Sequence, residues 1–204
     1  MTRIFRILIP GVAALFAAVL LAGCAASPDI RYGDPNAHQN LSTDFGASDL
    51  QQVAEGMVDS LLTFPPVVEI TSGRRPVLSV TRVKNKTLQH IDTESITDSI
   101  RAKLIKSGKF RFIDRTTDQE AMEEFAAQQE SGLVDPKKAV PGGMQAGAEY
   151  LLTSNLSEIR QQGGRVTDVY YKFTMNLKNL KTGILEWSDE KEIRKIKTRP
   201  LIGG

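Results

Sequence analysis

Between residues 48 and 62 the apolar positions Leu50, Val53, Ala54, Met57, Val58, Leu61 and Leu62 recur at three- and four-residue intervals, the spacing of a helix with one buried side. Ser48 and Gln51 fit a reciprocal cap at its start, and Phe64-Pro65-Pro66 stops it. Residues 76–83 are rich in β-branched side chains and predict a first strand, with a loop over 84–91. A second helix begins near Asp92 or Thr93, carries Ile96, Ile100 and Leu104 inward, and ends at Ser107-Gly108, where glycine accepts a left-handed cap. A short strand over 110–114 then completes a strand–helix–strand unit, which predicts a parallel crossover. Thr117 with Glu120 is expected to cap a third helix, with Ala121, Met122, Phe125 and Ala126 inward.

The rest of the chain changes to a period of two. Residues 150–159 form a strand, Gln161-Gln162-Gly163-Gly164 a turn, and 165–178 a long strand. In that strand Val169, Tyr171, Phe173, Met175 and Leu177 alternate with Tyr170, Lys172, Thr174, Asn176 and Lys178. One face is core and the other is wet. After Lys181-Thr182-Gly183 a last strand follows, less cleanly alternating around Leu185, Trp187 and Ile193, and it runs into the basic residues Arg194, Lys195, Lys197 and Arg199. Together these elements predict an α/β (α+β) fold: a mixed sheet of four to five strands with helices packed on one face, ending in an antiparallel three-strand meander.

Ahead of this body, Arg3 and Arg6 precede an apolar run over residues 7–21, long for a secretory leader and short of the roughly 20 residues that span a membrane. Leu21-Ala22-Gly23-Cys24 follows at once and resembles the bacterial lipobox. That resemblance implies cleavage before Cys24 and its conversion into a diacylglyceryl, N-acyl anchor, and several acyl chains at about 0.8 kcal/mol per buried CH₂ hold a protein on a bilayer stably. Ala25, where Asp would mark inner-membrane retention, implies the outer membrane, on its periplasmic side. Residues 25–47 hold prolines and glycines among polar residues without apolar periodicity, and predict a tether of roughly 26 Å as a coil or roughly 80 Å extended. The expected organisation is therefore a signal peptide (1–23), a lipidated Cys24 with tether (24–47), and one globular domain (48–204).

Charge narrows the function. The chain carries 26 Lys+Arg against 24 Asp+Glu. Arg3 and Arg6 account for the surplus, so everything after residue 23 is neutral, which argues against nucleic acid as a partner. One Cys and two His (His38 and His90) fall short of any zinc pattern. No phosphate loop, no nucleophile elbow and no paired-histidine metal motif is present in the sequence. The carboxylate pairs Glu123-Glu124 and Asp189-Glu190 point apart on helix and strand and read as solvated charge. His90 reads as a surface residue. The body is expected to bind rather than to catalyse, with no cofactor and no small-molecule substrate.

Four segments carry a family resemblance: residues 78–87 (LSVTRVKNKT), Ser107-Gly108-Lys109-Phe110, residues 147–152 (GAEYLL) and residues 181–188 (KTGILEWS). In this order behind a lipobox, they are similar to the signature of LpoB-type penicillin-binding protein activators. The resemblance implies an outer-membrane lipoprotein that docks on an accessory domain of a class A penicillin-binding protein and stimulates peptidoglycan synthesis. By the same resemblance Asn85, Lys86 and Thr87 match the family's Asn-Arg/Lys-Thr loop and are candidate docking residues, joined by Tyr170 and Lys172 on the wet side of the long strand. Two departures stand out: the tether is short, and Pro141-Gly142-Gly143 is expected to shorten or break a helix that precedes Gly147 in the family. The alternative is a subunit of an envelope transport assembly, since TolB and curli-secretion lipoproteins have related folds. A pore requires strands of about 9–11 residues, and only 165–178 approaches that length.

Overall fold

A computed structural model describes residues 34, 42–115, 117–140, 143 and 145–200. The chain divides into two units, Met1–Asp34 and Pro35–Gly204, and every helix and strand described lies in the second.

Helix α1 (Ala47–Thr63) starts one residue before the expected cap. Gly46 is the N-cap, and its N–H donates to Asp49 Oδ2 at 2.7 Å, so Asp49 at the third helical position supplies the reciprocal contact expected of Gln51. Phe64 ends α1 as predicted, but Pro65 opens a second helix, α2 (Pro65–Ser72), because proline is well suited to a first helical position where no N–H is needed.

The expected first strand is shorter than predicted, and a second short strand follows it. Strand β1 (Val77–Val80) pairs parallel with β4 (Tyr150–Gly163), and β2 (Lys84–Lys86) pairs parallel with the same strand further along. Val80 opposes Leu152 and Lys84 opposes Asn155, which leaves one extra residue on the first side. That bulge lets Val83 turn into the core, where its N–H donates to Thr97 Oγ1 at 3.1 Å. The loop predicted over 84–91 thus begins with a strand.

Helix α3 (Thr93–Lys106) follows the prediction closely. Asp92 Oδ1 accepts from Glu94 N (3.0 Å) and Ser95 N (3.3 Å), Ile96, Ile100 and Leu104 are buried, and Gly108 has φ +68°. It leads to β3 (Arg111–Phe112), parallel to β1 as the crossover requires. Helix α4 (Asp118–Glu130) departs from the prediction. None of its residues is buried, Met122 is 69% exposed, and Thr117 holds the N-cap position without a capping bond, its hydroxyl reaching Asp114 Oδ2 at 3.5 Å. The neighbouring β3 is a two-residue sheet edge, so little apolar surface remains for α4 to cover. No helix is present among the described residues from 131 to 149.

Strands β4, β5 (Val166–Asn179) and β6 (Leu185–Thr198) form the antiparallel meander, each 14 residues long. Gly163 opposes Val166, so the turn is Gly164-Arg165 and comes later than expected, with φ +56° at Gly164. Strand order is β3-β1-β4-β5-β6, with β2 beside β4, which makes six strands; β6 forms one border. One sheet face buries Leu152, Leu156, Tyr171, Phe173, Met175, Leu177 and Trp187 against Val53, Met57 and Leu61 of α1 and the apolar row of α3. Each such side chain contributes about 1.5–3 kcal/mol by leaving water.

The inward positions of β6 explain its irregular pattern. Ser60 of α1 donates to Asp189 Oδ2, the Lys191 chain lies over Gly56 with its Cδ 3.8 Å from where a Cβ would stand, and Lys195 Nζ lies 2.5 Å from Asp49 Oδ2. Asp189 is therefore not simply solvated. Leu185 is exposed although it stands two residues before the buried Trp187, because a bulge between Leu177 and Lys178 shifts it to the outer side. Most of the basic run belongs to the strand: Arg194, Lys195 and Lys197 all lie within β6.

Candidate partner-binding surface

Register partners in a sheet point to the same face. Lys86 of β2 opposes Ser157, Ser157 opposes Lys172, and Lys172 opposes Glu192, so these four side chains cross the outer face in one row. The next row is Ile159, Tyr170 and Arg194, and the row after it is Gln161, Asp168 and Ile196. Among the described residues no helix covers this side. Lys86 thus shares one surface with Tyr170 and Lys172, chosen from a distant part of the sequence, whereas Asn85 opposes Leu156 on the other face. Lys86 and Lys172 stand two strands apart, about 10 Å.

Most of its charges are already paired. Lys172 Nζ lies 2.5 Å from Glu190 Oε2, and that bond holds its ammonium above the ordinary lysine range. The Tyr170 hydroxyl donates to Glu192, which pushes the phenol up. Arg194 grips Asp168 with two nitrogens, Nε at 3.1 Å and NH2 at 2.6 Å, and keeps that carboxyl below the usual range. Around these pairs Ile159, Gln161, Asp168, Tyr170, Glu192 and Arg194 line a shallow depression of about 420 Å³. Lys86 is exposed and makes no ion pair among the described residues.

Asn85 does a different job from Lys86. Its Oδ1 accepts from Thr87 N (2.9 Å) and Thr87 Oγ1 (2.8 Å), while its Nδ2 donates to the Gln89 carbonyl at 2.8 Å. Asn85 and Thr87 therefore fold the turn, and the turn thrusts out Leu88, which is 90% exposed. Leu88, Ile159 (61% exposed) and Ile196 are surface apolar residues that periodicity alone did not single out. The available signals were an apolar residue alone in a polar loop and isoleucines on the polar side of their strands.

A protein-family model described as the peptidoglycan-synthase activator LpoB matches residues 49–193. The chain belongs to the LpoB family. Among solved structures, the LpoB C-terminal domain from Escherichia coli is 22% identical, with a TM-score of 0.42, covering 71% of this chain and 98% of that one. The same domain from Salmonella enterica is 21% identical with the same score and coverage. Lipoprotein GNA1162 from Neisseria meningitidis is 15% identical at a TM-score of 0.39, covering 59% and 83%. No curated protein matches the chain.

In this LpoB-family chain the recognisable segments mostly build the fold. Gly108 closes α3, and Phe110 just after it is buried. In the third segment Glu149 ties three strands: Oε1 accepts from Val77 N at 3.1 Å, its N–H donates to Val77 O at 2.8 Å, and its carbonyl accepts from Leu180 N at 2.9 Å. The Arg74 guanidinium beside it holds its carboxyl below the usual range. In the fourth, Gly183 turns the chain at φ +75° and Trp187 enters the core. Leu21, Ala22, Gly23 and Cys24 lie outside the described residues. Among the described residues no group of His, Cys, Asp and Glu is placed to hold a metal ion, and no helix is long and apolar enough to cross a membrane.

Proposed function

We propose that this LpoB-family protein is a periplasmic regulator, lipid-anchored in the outer membrane through Cys24, that docks on the accessory domain of a class A penicillin-binding protein and stimulates it. The observation that carries the docking surface is the alignment of Lys86, Lys172 and Tyr170 on one open sheet face, edged by Leu88, Ile159 and Ile196. Unpaired lysine charge favours an acidic patch on the partner, and exposed isoleucine beside tyrosine supplies the apolar contact from which interface affinity mostly comes. An activator needs no bond-making group. It must bind the working state of the synthase better than the resting state, and a tenfold population shift requires about 1.4 kcal/mol of such preference. The transport-assembly alternative receives less support. Three strands, not one, reach barrel length, but their apolar side is buried under helices rather than turned outward.

Lys86→Glu is the direct test. It should weaken capture of the host's class A synthase about tenfold and reduce its stimulation of glycan polymerisation in proportion; capture at the wild-type level removes β2 from the interface. For the anchor, labelled palmitate should enter the wild-type chain and not Cys24→Ala. Label retained by the variant refutes the lipid assignment.

A further inference from the structure

Residues 43–46, expected from sequence to belong to the tether, are fastened to the folded body from three sides. The Phe45 ring meets the Tyr171 ring edge-on with centroids 5.6 Å apart, and the Tyr171 hydroxyl donates to the Thr43 carbonyl at 2.9 Å. Asp44 Oδ1 lies 3.1 Å from Arg160 NH2, and its carbonyl accepts from Lys195 Nζ at 2.8 Å. The third fastening is Gln89. Its Oε1 accepts from Phe45 N at 3.0 Å, and its Nε2 donates to Glu158 Oε2 at 2.6 Å and to the Tyr171 hydroxyl.

Gln89 is also the closing residue of the turn that follows β2. Its carbonyl accepts from Asn85 Nδ2 and its N–H donates to Thr87 Oγ1 at 3.1 Å. One side chain therefore joins the incoming segment to the loop that presents Lys86 and Leu88. Residues 43–46, and Lys195 that clamps them, lie outside the 49–193 span of the family match. We propose that residues 43–46 form a strap that holds the 85–89 turn in its docking geometry, so that freeing the strap loosens the turn and weakens synthase binding. The binding half of this statement rests on the docking surface proposed above; the coupling of strap to turn does not. The coupling is local and physical: the Phe45 ring seats the strap on Tyr171, and without it the strap lifts and draws its N–H away from Gln89 Oε1, which leaves the Gln89 side chain with only Glu158 and Tyr171 to hold it and the turn less firmly closed.

Hydrogen exchange on the full chain separates the two halves. Phe45→Ala should speed exchange of the Thr87 and Gln89 amides about tenfold, leave α3 protected, and weaken synthase capture by a comparable factor. Because coupling is reciprocal, Gln89→Met should speed exchange of the Phe45 amide, and this second variant serves if the first proves unfolded by its α3 exchange. Wild-type exchange in the turn of a folded Phe45→Ala protein, or at Phe45 in Gln89→Met, overturns the strap. Faster exchange in the turn with capture unchanged supports the strap and overturns the docking role of the turn.

Discussion

Lys195→Met is expected to cost the folded chain about 3–5 kcal/mol, the penalty of leaving a buried charge without its partner. Asp49 is 1% exposed and its Oδ1 has no hydrogen-bond partner among the described residues. The carboxylate therefore depends on Oδ2, which takes Lys195 Nζ at 2.5 Å and the Gly46 N–H at 2.7 Å. The Lys195 side chain is only 11% exposed, so bulk water screens the pair poorly. Such a loss is about a fifth or more of a typical domain's stability. It should appear as a lower urea midpoint with an unchanged slope. Asp49→Asn combined with Lys195→Met should recover most of it, since the amide oxygen still caps Gly46 and no charge remains buried. A single variant within 1 kcal/mol of wild type would contradict the burial of the pair.

Ile159→Asp is expected to weaken synthase binding at least about 30-fold, the effect of losing a hot-spot contact of about 2 kcal/mol. Ile159 opposes Tyr170 directly and faces solvent, so it packs against nothing that folding requires. An aspartate there also sets a negative charge where Lys86 favours an acidic partner. Stability should stay within about 0.5 kcal/mol, as for exposed substitutions generally. Met122→Asp is the control: Met122 is also apolar and more exposed, but lies on α4, which follows β3 at the sheet border opposite β6. Binding that survives Ile159→Asp, or falls equally in Met122→Asp, would move the interface elsewhere.

Where a residue's environment is set by its near neighbours, the sequence predicted it well. The Asp92 cap, the Ile96-Ile100-Leu104 row and Gly108 delimit α3, and strict alternation from Val169 to Leu177 identifies β5. The misreadings fall where a distant element decides. β2 exists only because β4 continues past the end of β1, and nothing in Lys84-Asn85-Lys86 announces a strand. α4 has the spacing of an amphipathic helix, but the two-residue β3 offers it no sheet to cover. The inward residues of β6 are polar because α1 meets them with Asp49, Gly56 and Ser60. The candidate surface divides in the same way. Lys86, Tyr170 and Lys172 could be chosen one at a time, but their common face depends on pairings between strands some 70 residues apart in the chain. The strap was hidden because Thr43, Asp44 and Gly46 have linker composition, and only Phe45 hints at a packed partner.

The border position of β6 has one more consequence. A 14-residue strand with no neighbour on its far side among the described residues offers free backbone donors and acceptors to any stray extended chain, which is how fibrils and unwanted pairings begin. Along it Asp189, Glu190, Lys191, Glu192, Arg194, Lys195 and Lys197 interrupt every apolar stretch. An incoming strand would have to strip water from this mixture of signs before gaining a single main-chain bond, so the charges that blur the strand's pattern also oppose polymerisation along its own edge.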